Sequence, residues 1–201
     1  MVSAWNGYAW RHAFDPQPLA TGTGGSPWSR LGDKLAKELK LPIGFISVGI
    51  GGSRVLFWTR AANFKRITDA IEATKPNGFR AILWHQGESD AIAKTSAKKY
   101  AEMLTDIIKR SRKYAGWNVP WFVAIAAYHP RTKKPEETEI CNGQLLTIKQ
   151  NDNVFIGPNT DNYPKTKETL ADRVHFNAKG LGMHSDDWLK ILSKYIAEEH
   201  K

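Results

Sequence analysis

The sequence predicts an α/β fold: one domain, a three-layer α/β/α sandwich with a parallel sheet. Three observations predict it. Short apolar runs at residues 43–48, 79–84, 119–126 and 154–156 are too brief and too uniformly apolar for amphipathic helices, and read as buried parallel strands. Between them lie segments with helical periodicity, and alternating strands and helices joined by short connections build a parallel sheet with helices on both faces. The strand at 79–84 stops abruptly at His85-Gln86-Gly87-Glu88, which places polar side chains at the carboxyl edge of the sheet, where ligands bind in such folds.

The elements follow in order. Residues 1–25, rich in Trp, Gly, Thr and Pro, show no sustained period and read as an irregular segment. Trp5, Tyr8 and Trp10 alternate there with small or polar residues, as packing area or as a surface on which sugars could stack. Ser26-Pro27 is a helix-start signal, and Trp28, Leu31, Leu35 and Leu39 recur at helical spacing, so a helix runs over 27–39. The strand at 43–48 ends in the turn Gly49-Ile50-Gly51-Gly52. Further helices are expected over 63–74, stopped by Pro76, over 96–114 with Tyr100, Met103, Leu104, Ile107 and Ile108 on one face, over 138–149, and over 178–197.

Composition narrows the classes. With 201 residues, 41% hydrophobic and 24% charged, the chain suits a single soluble domain of ordinary core size. No apolar run approaches the ~20 residues that span a bilayer, and the start Met1–Gly7 has no signal-peptide pattern. No membrane partner is expected, and the compartment is left open. The net charge of +9 lies mostly on helical faces such as Lys94, Lys98, Lys99 and Lys109, a solvated surface that could also recruit acidic glycans. No nucleic-acid recognition motif is present, so no nucleic-acid partner is expected. The one cysteine, Cys141, reads as a structural thiol. His12, His129, His184 and His200 lack metal-ligand spacing, and neither a metal nor another cofactor is expected.

Three blocks carry a family resemblance: Gly49-Ile50-Gly51-Gly52-Ser53 with Trp58 after it, Trp84-His85-Gln86-Gly87-Glu88-Ser89-Asp90, and Asp172-Arg173-Val174-His175-Phe176 ahead of the last helix. Together they resemble the sialate O-acetylesterase and acetylxylan esterase group of the SGNH/GDSL hydrolases. That resemblance implies a serine esterase that removes acetyl groups from sugars, with an acetylated carbohydrate as substrate.

It also implies roles. Asp172 and His175, three apart in a turn, could hold a carboxylate against one ring nitrogen while the other faces a nucleophile; from spacing alone a helix-capping pair is the plainer reading, and the resemblance makes the pair catalytic. Gly52, with Gly51 as the alternative, and the Gln86 amide are the implied oxyanion donors. Glu88 is a supporting residue that orients Gln86 or a loop, His85 a bonding or packing residue beside the site. Trp58 walls the acyl pocket or packs in the core. The family's first block, a strand ending in Gly-Gln-Ser-Asn with the nucleophile, has no counterpart here, so the first strand is expected to be missing and the chain to be truncated at its amino end. An upstream segment or a second chain would supply that strand, or the sheet closes with altered pairing. The nucleophile is unassigned, and Ser53 is the candidate within the chain. A catalytically weak or inactive carbohydrate-binding remnant is the alternative function.

Overall fold

The computed structural model describes residues 1–199. All four expected strands form, and two more precede them. By its internal contacts the chain parts into two compact units, residues 1–51 with 163 onward, and residues 52–162.

In the first unit β1 (Val2–Trp5) pairs antiparallel with β2 (Trp10–His12) and parallel with β3 (Ile43–Phe45). The expectation of irregular structure over 1–25 is therefore corrected. The reason is physical: the alternation Val2-Ser3-Ala4-Trp5 has period 2, but Ser and Ala are weak strand formers and carry little signal over four residues. Val2 and Ala4 point into a small core with Ala13, Ala36 and Phe45. α1 (Trp28–Leu39) lies against β1 and β3 and packs on α7 (Ala178–Glu199). The Ser26 hydroxyl accepts the Trp28 N–H at 3.3 Å, one residue ahead of the N-cap, and is itself held by Asp15 at 2.5 Å. β3 is shorter than the apolar run that predicts it, ending at Phe45, where its pairing with β1 stops at Ala4.

The second unit holds a parallel sheet of β4 (Ile82–Trp84), β5 (Trp121–Ile125) and β6 (Val154–Asn159), with β5 central. All five β5 residues are buried; since side chains alternate, both faces of that strand are covered. The helices are α2 (Val55–Thr59), α3 (Ala61–Glu72), α4 (Glu88–Ile92), α5 (Ala97–Ala115) and α6 (Lys134–Gln150). α5 packs against α6 and buries Tyr100, Leu104, Ile107 and Ile108, the face its periodicity predicts. Its Ser96 N-cap accepts the Lys99 N–H, and Gly116 ends it in the left-handed region. α6 begins four residues before the expected Thr138, because Pro135 in the first turn and the Glu136 carboxylate on the Lys133 N–H, at 2.6 Å, start it there.

Candidate active site

In the first unit the segment before α7 folds back on itself. Leu170 and Phe176 form an antiparallel bridge, and the Ala171 N–H donates to the His175 carbonyl at 2.8 Å. Inside this loop Asp172 Oδ1 accepts the N–H groups of Val174 (2.6 Å) and His175 (2.7 Å), while Oδ2 lies 2.8 Å from His175 Nδ1. Asp172 and His175 are thus brought together as their spacing allows. The His175 hydrogen bonds, from its ring first and then from the backbone, hold the Asp172 carboxyl well below the usual carboxylate range. Nδ1 of the ring is committed to the carboxylate, and the His175 side chain is 80% exposed. Phe176 fixes the loop by packing on Tyr163 and His184, and the helix start is capped by Asn177 Oδ1, which accepts from Lys179 and Gly180. Such a pair can take a proton on Nε2 and stabilise the imidazolium that results.

In the second unit the polar residues after β4 form one buried network. Gln86 Nε2 donates to the Ser53 carbonyl (3.1 Å) and to Asp90 Oδ2 (2.8 Å). The one Tyr100 hydroxyl hydrogen is shared between the Gln86 carbonyl at 2.7 Å and Gln86 Oε1 at 3.1 Å. Asp90, 1% exposed, accepts further bonds from the Val55 N–H (2.7 Å) and Thr95 Oγ1 (2.8 Å). Gln144 Nε2 donates to the carbonyls of Gln86 and Ala126. The turn that leads into α4 requires Gly87, since a Cβ there would lie 1.7 Å from the Ala126 carbonyl oxygen.

This network bears on two expected roles. Both hydrogens of the Gln86 amide are engaged, so the side chain positions the Ser53–Val55 turn and has no hydrogen left for an oxyanion. Trp58, 4% exposed, packs edge-on against Trp84 and donates its indole N–H to Ser53 Oγ at 3.1 Å. Of the two readings given for it, it takes the second, packing in the core. The adjoining concavity, about 170 Å³, is lined instead by Gly52, Ser53, Arg54, Leu56, Phe57 and Arg60. Glu88 accepts the Gly87 N–H at 3.1 Å and so orients the turn, while Gln86 is held by Asp90 and Tyr100.

The two glycine candidates separate cleanly. The Gly51 N–H donates to Thr21 Oγ1 at 2.8 Å. Gly52 sits at φ 70°, where a side chain would strain the backbone, and its N–H donates to no acceptor among the described residues. His85 Nε2 lies 3.1 Å from Thr160 Oγ1. His12 is exposed on β2, His129 Nδ1 accepts the Arg131 N–H, and buried His184 accepts the Trp188 indole N–H at 2.9 Å; His200 lies outside the described residues. Burial, helped by Asp161, pushes the half-buried Cys141 thiol up to about 12, which keeps it protonated and unreactive at neutral pH. No cluster of three or more His, Cys, Asp or Glu side chains able to hold a metal, and no helix long and apolar enough to cross a membrane, occurs among the described residues.

Residues 2–185 match the family model of the carbohydrate esterases described as sialic acid-specific acetylesterase. The chain belongs to this family. Members of this carbohydrate esterase family are hydrolases, and the matched range takes in all three blocks quoted above. A protein of Arabidopsis thaliana named as a probable carbohydrate esterase is 30% identical over 73 residues; the aligned stretch takes in 35% of this chain and little more than a quarter, 28%, of that relative. Among solved structures, one from Arabidopsis thaliana superposes with a TM-score of 0.80 at 20% identity, covering 94% of this chain and 79% of the other. The psychrotrophic esterase EstA from Pseudoalteromonas gives 0.67 at 16% identity, covering 86% and 88%. These likenesses show that this carbohydrate esterase chain has the SGNH/GDSL hydrolase fold.

Asp90, Tyr100 and Gln144 were not assigned site roles by sequence reasoning. Asp90 stands in the quoted block without a role, Tyr100 counts as one more apolar position of α5, and Gln144 offers one signal, its place four positions after the apolar Ile140 on the face that the helix buries.

Proposed function

We propose that this chain works as a carbohydrate O-acetylesterase, cleaving acetyl esters of sugars through an acyl-enzyme. The observation that carries this reading is the Asp172–His175 pair at 2.8 Å, with Nδ1 tied to the carboxylate and the ring exposed. A serine hydroxyl attacks the acetyl carbonyl as its proton passes to His175 Nε2. Asp172 holds the imidazolium, and the Gly52 N–H donates to the oxyanion. The sugar leaves with the proton from His175. Water, deprotonated by the same imidazole, then attacks the acyl-enzyme and releases acetate. Ser53 is the candidate nucleophile within this chain; a serine on a strand from an upstream segment or a second chain is the other. The pocket arginines, Arg54 and Arg60, favour an acidic sugar of the sialic type over xylan, because a guanidinium pairs bidentately with a carboxylate.

A second reading, binding of acetylated glycans without turnover, draws support from the Gln86 amide. With both of its hydrogens engaged, an oxyanion has Gly52 as its one donor from the expected pair. The deciding experiment measures acetate release from O-acetylated sialic acid and acetylated xylan, and hydrolysis of p-nitrophenyl acetate, by this chain and its His175→Ala and Ser53→Ala variants. The esterase reading expects turnover lost in His175→Ala. Turnover equal in that variant sinks it, and folded protein that binds the glycans without releasing acetate supports the second reading.

A further inference from the structure

The sheet of the first unit has two faces of opposite character. Val2 and Ala4 enter the core, so by alternation Ser3 and Trp5 point the other way. Pairing of Trp5 with Trp10 and of Ser3 with His12 puts Trp10 and His12 on that second face, and Gly44, opposite Ser3, adds no side chain to it. The Trp10 ring fills the space: a Cβ on Gly44 would come within 2.8 Å of Trp10 Cζ3 and 3.1 Å of Cη2. The Trp5 ring stands 5.6 Å away at 57°. The indole is therefore pinned from below and from one side, yet 44% of Trp10 is exposed, and Tyr8 at the hairpin tip is 92% exposed. Asn6 Oδ1 holds the tip by accepting the N–H groups of Tyr8 (3.0 Å) and Ala9 (2.9 Å).

We propose that this face is a sugar-binding platform, built from residues the hydrolytic reaction does not use. The C–H face of a pyranose ring stacks on Trp10, and the Ser3 hydroxyl and His12 imidazole bond to the ring's hydroxyls. Three considerations select a carbohydrate. A ring already immobilised by Gly44 and Trp5 loses no further side-chain freedom when a flat ligand settles on it. Polar groups flank the indole on the same face, which suits a ligand with an apolar face and a hydroxylated edge. The exposed parts of Trp10 and Tyr8 amount to under about 400 Å², well short of the ~800 Å² per partner of a stable protein interface. Only the ligand class rests on the carbohydrate esterase reading.

The test is depletion of the chain from solution by insoluble deacetylated xylan, cellulose and chitin, with p-nitrophenyl acetate hydrolysis followed in parallel. The platform reads ring faces and not acetyl groups, so binding to at least one deacetylated polymer is expected. Trp10→Ala should weaken it about 10-fold or more, with hydrolysis unchanged from the parent chain. Trp10→Phe keeps a ring over Gly44 and should retain most of the binding, which separates loss of stacking from loss of fold. In the parent chain xylohexaose, cello-oligosaccharide or chito-oligosaccharide should shift the Trp10 indole N–H resonance, identified by its absence in Trp10→Phe. No depletion by any of the three polymers, or equal depletion by Trp10→Ala, overturns the proposal. So does concentration-dependent self-association abolished by Trp10→Ala, which would make this face a contact between copies. Loss of turnover with platform binding intact would instead count against the esterase reading alone.

Discussion

Asp90 is where a single atom change should separate a satisfied network from a broken one. Its carboxylate receives three donors: the Val55 N–H and Gln86 Nε2 on Oδ2, and Thr95 Oγ1 on Oδ1. In Asp90→Ala the Val55 and Gln86 donors stay buried with no acceptor, at roughly 1–3 kcal/mol each, while the Thr95 hydroxyl can rotate away. Adding about 1 kcal/mol for the small cavity brings the expected destabilisation to about 3–7 kcal/mol, a large part of the ~5–15 kcal/mol by which a domain is stable. Asp90→Asn behaves differently. Its amide oxygen at the Oδ2 position still accepts both rigid donors, and the Thr95 hydroxyl can turn to accept from the new NH₂, so only the charge reinforcement goes, about 1 kcal/mol. Urea unfolding followed by circular dichroism and tryptophan fluorescence measures both variants, with unchanged m-values as the sign that two-state comparison holds. Asp90→Ala within about 1 kcal/mol of the parent chain, or Asp90→Asn as damaged as Asp90→Ala, would refute the network as drawn.

Two further predictions concern the dyad and the turn before α4. The Asp172 carboxyl is depressed in the folded chain, so the stability it contributes is present above the ordinary carboxylate pKa near ~3.9 and is lost as pH falls through the lower folded value. Carboxyl-carbon NMR should find its midpoint below that of a model aspartate; His175→Ala should raise it only part of the way, because the Val174 and residue-175 N–H groups still donate to Oδ1. Gly87→Ala should cost more than ~3 kcal/mol in urea unfolding, since backbone has to move to clear 1.7 Å.

What could be seen in the sequence follows the range of the contacts involved. The buried face of α5 repeats Tyr100, Leu104, Ile107 and Ile108 at helical intervals, and the structure buries those same residues. The Asp172–His175 contact was legible because both partners and both supporting N–H groups lie within four residues. The residue type of Gln86 and its block suggest an oxyanion donor. Its direction depends on the Ser53 carbonyl, 33 positions away, and on Tyr100, which no local pattern joins to it. The hairpin of β1 and β2 was missed for the opposite reason: its residues are near in sequence, but three- and four-residue strands with Ser, Ala, Arg and His leave periodicity almost nothing to register.

The compactness in sequence of the Asp172–His175 loop bears on the order in which the chain assembles. A contact across three positions closes almost no loop entropy and needs only its own turn, whereas the Gln86 network joins residues 53, 86, 90, 100 and 144 and exists only once β4, α5 and α6 have docked. On heating or in denaturant the two should therefore part company: the Asp172–His175 contact should outlast the Gln86 network, and the turn carrying Gly52 and Ser53 should lose its Gln86 and Asp90 anchors as soon as the second unit loosens.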